Sequence, residues 1–241
     1  MNTKSKIPPT EIQPKVMTGI LKRSGTIAIF LILIAVILFL TAGRLNWTWA
    51  WIYLGINLAS VIIVGPITIR TNPETVAERG EIKMTRKWDK IVSGSYLLAT
   101  YIALPLVAGL NVRFDWARDL STAWHITGAG ILAVGLGLSS WAMIANAYFS
   151  TAVRIQSDRG HTVCSTGPYR FVRHPGYVGF IFQALGIPIL LGSLWALIPG
   201  IIAAVFMIVR TYFEDHMLQA ELPGYQDYVR NVGYRLVPGI W

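Results

Sequence analysis

TIAIFLILIAVILFLTAG, residues 26–43, runs eighteen positions without a charge and is built mainly from Ile, Leu and Val. At ~1.5 Å of rise per helical residue it approaches the ~20 residues that a ~30 Å hydrocarbon core requires. Lys22 and Arg23 precede it, as basic residues precede a signal peptide. The run is too long for a secretory core and no small-residue cleavage site is evident, so it reads as a mature transmembrane helix. Outward from it, Trp47–Ile69 is a second span, opened by Trp47, Trp49 and Trp51 in the manner of an interfacial aromatic belt. Ile91–Leu110 and Ala123–Ala145 are a third and a fourth. Tyr177–Leu191 and Leu194–Val209, parted only by Gly192 and Ser193, read as a helical hairpin whose first arm bends at Gly186 and Pro188. The expected fold is all-α: a polytopic transmembrane bundle of about six helices.

Composition agrees. Of 241 residues, 54% are hydrophobic and 14% charged, against roughly 25% charged in soluble domains. The net charge of +9 does not mark a nucleic-acid binder, because the basic residues sit in short clusters between apolar runs. Eighteen of the 21 Lys and Arg fall before Thr26, in Arg70–Lys90, in 146–176 or from Arg210 onward; Arg44, Arg113 and Arg118 lie in the alternate loops. By the positive-inside rule both termini are cytoplasmic, at the plasma membrane of a prokaryote or the endoplasmic reticulum of a eukaryote. One cysteine excludes an internal disulfide and a cysteine-based zinc site, and four scattered histidines offer no metal cluster.

Three regions follow. Residues 1–25 read as a cytoplasmic tail, mobile over about its first seventeen positions. Residues 26–145 hold four spans, with an interfacial helix near 72–90 opened by Asn72-Pro73-Glu74 as N-cap, first helical proline and first-turn acid, lying at headgroup level with Trp88. Residues 146–241 concentrate the polar chemistry. The glycines at 128, 130, 135 and 137 lie in an apolar helix with no strand before them, which argues for close helix packing and against a nucleotide-binding loop.

Two polar constellations flank the last helices. In His161–Gly179, Gly167-Pro168 and Pro175-Gly176 are turn signals, and Pro175 fits the first turn of a helix whose amides would face the cytoplasmic mouth. Tyr169, His174 and Tyr177 add aromatic faces and donors; the plain alternative is a basic, headgroup-facing loop. After the sixth span come Arg210, Glu214 and Asp215, with Arg210 and Glu214 on one helix face. Their plain reading is an exposed ion pair worth ~0.3–0.5 kcal/mol.

At these residues the sequence resembles a known family. The GPYxxxRHPxYxG string at Gly167–Gly179, with His161 six residues before it, is similar to the membrane-embedded isoprenylcysteine carboxyl methyltransferases. Arg210 to Leu218, then Gly224-Tyr225-xx-Tyr228 and Val237-Pro238-Gly239, resembles that family's second signature. The resemblance covers the chain from about Ser150 onward. It implies an S-adenosylmethionine-dependent methyltransferase without a Rossmann domain. It implies that His161, Thr162, Val163 and Cys164 line the cofactor through backbone groups, that Tyr169, His174, Pro175, Gly176 and Tyr177 complete its bed, and that Glu214 anchors it. Arg210 would face the reacting carboxylate of a lipid-like or prenylated acceptor entering from the bilayer. Arg154 stands where the family's eukaryotic members place an amide, with Gln156 nearby, so neither is assigned a role. A phospholipid amine methyltransferase, a nicotinamide-dependent membrane reductase and a non-enzymatic transporter or scaffold are the competing readings.

Overall fold

The computed structural model describes residues 13–80, 86–116 and 120–241. Residues 1–12, most of the expected mobile tail, and Arg118 of the charge tally lie outside them. Helix α1 (Pro14–Ala42) starts with Pro14 in its first turn and takes in residues 14–25, expected as tail; Lys15, Lys22 and Arg23 ride on a helix that extends past the apolar run. Next come α2 (Thr48–Thr71), the short α3 (Pro73–Glu78), and a third long helix made of α4 (Lys87–Leu98), a π turn (Ala99–Ala103) and α5 (Leu104–Phe114). Then follow α6 (Thr122–Ala145), α7 (Pro175–Leu191), α8 (Leu197–Glu221) and α9 (Tyr225–Asn231).

Among the described residues five helices are long and apolar enough to cross a membrane, with 87–114 counted as one. The sixth, α7, has 17 residues, set by Pro175 at its start and by Gly192, at φ +77°, at its end. It continues unbroken through Gly186 and Pro188. Ile29, Ile32, Leu40, Ile62, Ile63 and Ile201 are exposed on the outside of the bundle, where lipid replaces water as solvent. Exposed Trp51, Trp116, Trp124 and Trp195 all sit at the end carrying the α1–α2, α5–α6 and α7–α8 connections, an aromatic belt at one interface.

The π turn has a local cause. Pro105 has no N–H to give a carbonyl one turn back, and the Leu104 amide instead reaches Ala99 O in the wider π register. The α6–α7 contact is the most extensive in the molecule. It depends on backbone touching backbone: a Cβ at Gly135 would stand 2.7 Å from Gly179 O, and one at Gly179 2.6 Å from Gly135 O. Gly128 likewise meets the α7 backbone, whereas Gly130 and Gly137 have nothing within 4 Å. Half of the glycine row therefore packs and half faces outward.

Two elements differ from expectation in ways that build the site. The interfacial helix shrinks to α3, and Asn72 does not cap it; its Nδ2 donates to Ile144 O at 2.8 Å. With Thr75 Oγ1 bonded to Ala147 O, this fastens α3 to the end of α6. Trp88 belongs to α4, its ring centroid 5.2 Å from that of Phe213 on α8. Helix α8 runs to Glu221, so Arg210, Glu214 and Asp215 lie within it and not after it.

Candidate active site

The segment between α6 and α7 is irregular, so its backbone groups need side-chain partners. Gln156, 1% exposed, supplies several: its Nε2 donates to Tyr148 O at 2.8 Å, its Oε1 accepts from Arg159 at 2.6 Å, and its backbone N–H donates to His161 Nδ1 at 3.3 Å. Arg154 bridges Glu78 and Asp158, tying the segment to α3. Cys164 Sγ donates to Ala145 O at 3.4 Å. Among the described residues, no acceptor meets the N–H groups of Thr162, Val163 and Cys164.

Asp215, wholly buried, is the hub that holds the other wall. Arg173 grips it as a fork, Nε to Oδ1 at 2.8 Å and Nη2 to Oδ2 at 3.0 Å. Tyr225 OH, His174 Nε2 and Gln219 Nε2 also donate to it, at 3.0, 3.2 and 2.8 Å. Arg235 Nε adds a bond to Oδ2 at 2.8 Å. The backbone repeats the link, since Arg173 N–H reaches Tyr234 O and His174 N–H reaches Arg235 O, both at 2.9 Å. The proline-histidine loop, α8, α9 and the C-terminal segment are thus locked around one carboxylate.

These walls enclose a pocket of about 670 Å³, its open mouth included. The expected cofactor residues His161, Thr162, Val163 and Cys164 line one side of it. Tyr169, His174, Tyr177 and Glu214 line the rest, with Tyr177 OH bonded to the Glu214 carboxylate. The His174 and Tyr177 rings stack, 5.7 Å apart and 3° from parallel. Pro175 and Gly176 do not line the pocket. Pro175 starts α7, and Gly176, without a side chain, lets the Phe149 ring rest against the helix. Of the first amides of α7, Tyr177 and Val178 N–H turn back to His174 O, which leaves only Gly176 N–H without an acceptor among the described residues.

Arg210 stands beside the pocket and not in its lining. Its Nε is 3.1 Å from Asp89 Oδ1, an ion pair whose geometry falls short of a hydrogen bond, and its Nη2 donates to Thr151 O at 2.7 Å. The guanidinium lies 5.5 Å from the centroid of the Tyr177 ring, within reach of the Glu214–Tyr177 pair's surroundings. Asp89 itself accepts from Ser93 Oγ and from the Val153 N–H, each at 2.8 Å. The exposed Arg210–Glu214 pair of the plain reading is not formed; Arg210 is 7% exposed and its acid is Asp89.

Burial sets the charge state of the loop. Desolvation first, then Arg154 and Arg159, lowers His161 to about 4, so the ring is neutral near pH 7 with Nδ1 accepting the Gln156 N–H. Tyr169 is pushed well above its usual range by burial, which keeps it a neutral phenol. Sequence reasoning gave no role to Asp89 or Gln156; it grouped Asp215 with Glu214 and quoted Tyr225 and Tyr228 in a motif, without reading Asp215 as the acceptor of Arg173, His174, Tyr225 and Arg235. A signal existed for Asp89, an acid at the mouth of an apolar span.

Residues 128–220 match the family described as the Isoprenylcysteine carboxyl methyltransferase (ICMT) family. A protein-S-isoprenylcysteine O-methyltransferase of Schizosaccharomyces pombe is 38% identical over 73 residues, 30% of this chain and 31% of that protein. Protein-S-isoprenylcysteine O-methyltransferase B of Arabidopsis thaliana is 27% identical over 148 residues, 60% of this chain and 73% of its own length. A probable enzyme of that name from Oryza sativa subsp. indica is 32% identical over 104 residues, 42% of this chain and 53% of that protein. The matches to the yeast and rice proteins thus span a third to a half of their lengths. A solved structure of the eukaryotic intramembrane Ras methyltransferase ICMT aligns with 95% of this chain and 99% of its own, at TM-score 0.46 and 17% identity. The family resemblance in the sequence is borne out over residues 128–220, which hold the proline-histidine loop, α7 and nearly all of α8; the Gly224–Gly239 strings lie beyond that match.

Proposed function

We propose that this integral-membrane chain, whose residues 128–220 carry the sequence of the isoprenylcysteine carboxyl methyltransferases, transfers a methyl group from S-adenosylmethionine to the carboxylate of a prenylcysteine-like or other apolar acid. The observation that carries the reading is the meeting of two distant motif segments in one pocket, Tyr177 on α7 against Glu214 on α8. The pocket suits the cofactor's chemistry. Aromatic faces favour a sulfonium, the Glu214 carboxylate adds opposite charge, and the N–H groups of Thr162, Val163 and Cys164 are free to hold polar edges. When bound, the cofactor supplies an activated methyl group on positively charged sulfur.

The remaining work falls to the chain. A carboxylate is already ionised at neutral pH, so no residue need act as a general base. Arg210 offers a planar fork for the acceptor carboxylate, and Asp89 and Thr151 O fix its position. His174 is held in place by Asp215 and Tyr225. Met217, Leu218 and Leu222 give the pocket an apolar flank that excludes water. Alignment of this kind is worth roughly 7–11 kcal/mol in favourable systems. The charge pattern of the loops supports a pocket on the cytoplasmic side, where a water-soluble cofactor would meet an acceptor arriving through the bilayer.

Calorimetry with S-adenosylhomocysteine tests the reading, with micromolar affinity expected, about −8 kcal/mol. No binding heat at millimolar ligand, in folded protein, would sink it. A methylation screen against apolar carboxylates and phospholipid amines then decides the acceptor; methyl transfer to amines alone would move the chain to the amine methyltransferases.

A further inference from the structure

Arg79, which follows α3, has no place in the site described so far, and among the described residues no carboxylate pairs with it. Its Nε is buried without a hydrogen-bond partner. Its guanidinium carbon lies 5.0 Å from the centroid of the Phe149 ring. The charged and titratable groups facing it are Arg23 of α1, Tyr101 of the π turn, Arg210 of α8 and Tyr177 of α7. Among the described residues these are two cations and two phenols, with no carboxylate. Glu78, its neighbour in sequence, is directed to Arg154 instead. Burial, reinforced by Arg23, brings the Arg79 guanidinium down to about 9, as expected for a cation lacking an anion.

Two nearby atoms also lack hydrogen bonds: Arg210 Nε, which is ion-paired to Asp89, and the adjacent Thr151 Oγ1. Buried polar groups in native proteins are nearly always satisfied. Phe149 and Tyr177 each carry one of the two guanidiniums, and both rings line the cofactor pocket. Phe180 joins them, its centroid 6.4 Å from Phe149 and 6.2 Å from Tyr177. The result is an aromatic floor with a guanidinium at either end, suited to an anion carried on an apolar body.

We propose that Arg79 is a second carboxylate-binding residue of the acceptor site, holding the acceptor's carboxylate from the α3 side while Arg210 faces it from α8. This rests on the methyltransferase reading above. Arg79 on one carboxylate oxygen leaves the other oxygen's lone pair to attack. The O–CH₃ bond forms as the S–CH₃ bond breaks, and the sulfur keeps the bonding electron pair. Carboxylate and sulfonium become a neutral ester and a neutral thioether, so the product gives Arg79 no charge to hold and is released.

The test uses the full chain in nanodiscs of zwitterionic phosphatidylcholine, with three ligands: a farnesyl thioether carboxylic acid, its primary amide, and S-adenosylhomocysteine. Arg79→Gln should weaken the acid at least about tenfold while the amide and S-adenosylhomocysteine stay within about threefold of wild type. In turnover, KM for the acid should rise by a similar factor with kcat changed less than about threefold. Arg79→Met, which keeps an apolar contact with Phe149, should give the same split and is read if the Gln variant loses S-adenosylhomocysteine binding. Unchanged acid affinity overturns the proposal, as does equal loss of all three ligands in both variants, which marks a structural residue. Acid affinity that changes only when anionic phosphatidylglycerol competes would assign Arg79 to a lipid phosphate and also overturn it. Wild type that binds the acid through Arg79 yet transfers no methyl group overturns the reaction and leaves the carboxylate site standing.

Discussion

Replacing Asp215 by alanine and replacing its neighbour Glu214 by alanine test different things. Asp215→Ala strands Arg173, Arg235 and His174 without their common acceptor, and breaking a buried pair of this kind costs about 3–5 kcal/mol. Thermal unfolding should show that loss, together with loss of S-adenosylhomocysteine binding. Glu214→Ala removes one bond from Tyr177 and should cost about 1 kcal/mol of stability while weakening the ligand; normal ligand affinity would return Glu214 to a packing role. His161 supplies a pH dependence. Its folded-state value, about 4, lies below the ordinary imidazole value of 6.5, so the unfolded chain binds the extra proton between those values. Stability is complete above pH 6.5 and falls as the pH drops toward 4. Protonation also removes the Nδ1 lone pair that accepts the Gln156 N–H. His161→Asn, whose Oδ1 can take that amide without titrating, should flatten the slope in unfolding measurements across this range; an unaltered slope would place its origin elsewhere.

Helix packing gives the next contrast. Gly135→Ala puts a Cβ 2.7 Å from the Gly179 carbonyl, and such overpacking costs about 1–3 kcal/mol. Gly137→Ala meets nothing within 4 Å and should be neutral or stabilising, by up to ~1 kcal/mol from helix propensity. Equal melting shifts for the two would contradict the close α6–α7 crossing. Arg210 joins α8 to α4 through Asp89. A lysine there could keep that ion pair but lacks the fork, so Arg210→Lys should lose at least about tenfold in kcat/KM, ~1.4 kcal/mol, with S-adenosylhomocysteine affinity within a few fold. Near-normal methylation would leave Arg210 a bolt between helices. The spans were legible because an apolar run needs no partner to be recognised. The early start of α1 at Pro14 and the extension of α8 to Glu221 were not, since both ends carry charges that hydropathy discounts. The motifs placed Glu214 and Tyr177 together, but the Asp89–Arg210 pair joins residues whose partnership only the packed bundle reveals.

On the scale of the whole molecule, the loop charges and the tryptophan belt make one orientation claim. A cysteine introduced at Leu45 should react with an impermeant maleimide added to intact cells, and one at Gln226 only after permeabilisation; both positions are exposed. The opposite pattern would invert the topology and move the pocket away from the cytoplasm. The locking of the C-terminal segment onto the proline-histidine loop has a consequence for biosynthesis. Tyr234 and Arg235 reach Arg173, His174 and Asp215, and they are synthesised after α7 and α8, the two helices they help to join. The nascent chain therefore carries α7 and α8 into the bilayer with one wall of the pocket unfinished and gains that wall only once residues 234 and 235 have emerged. A cut before Tyr234 made after insertion should leave the helices embedded but the pocket without its C-terminal brace, read as loss of S-adenosylhomocysteine binding; retained binding would show that the brace is dispensable.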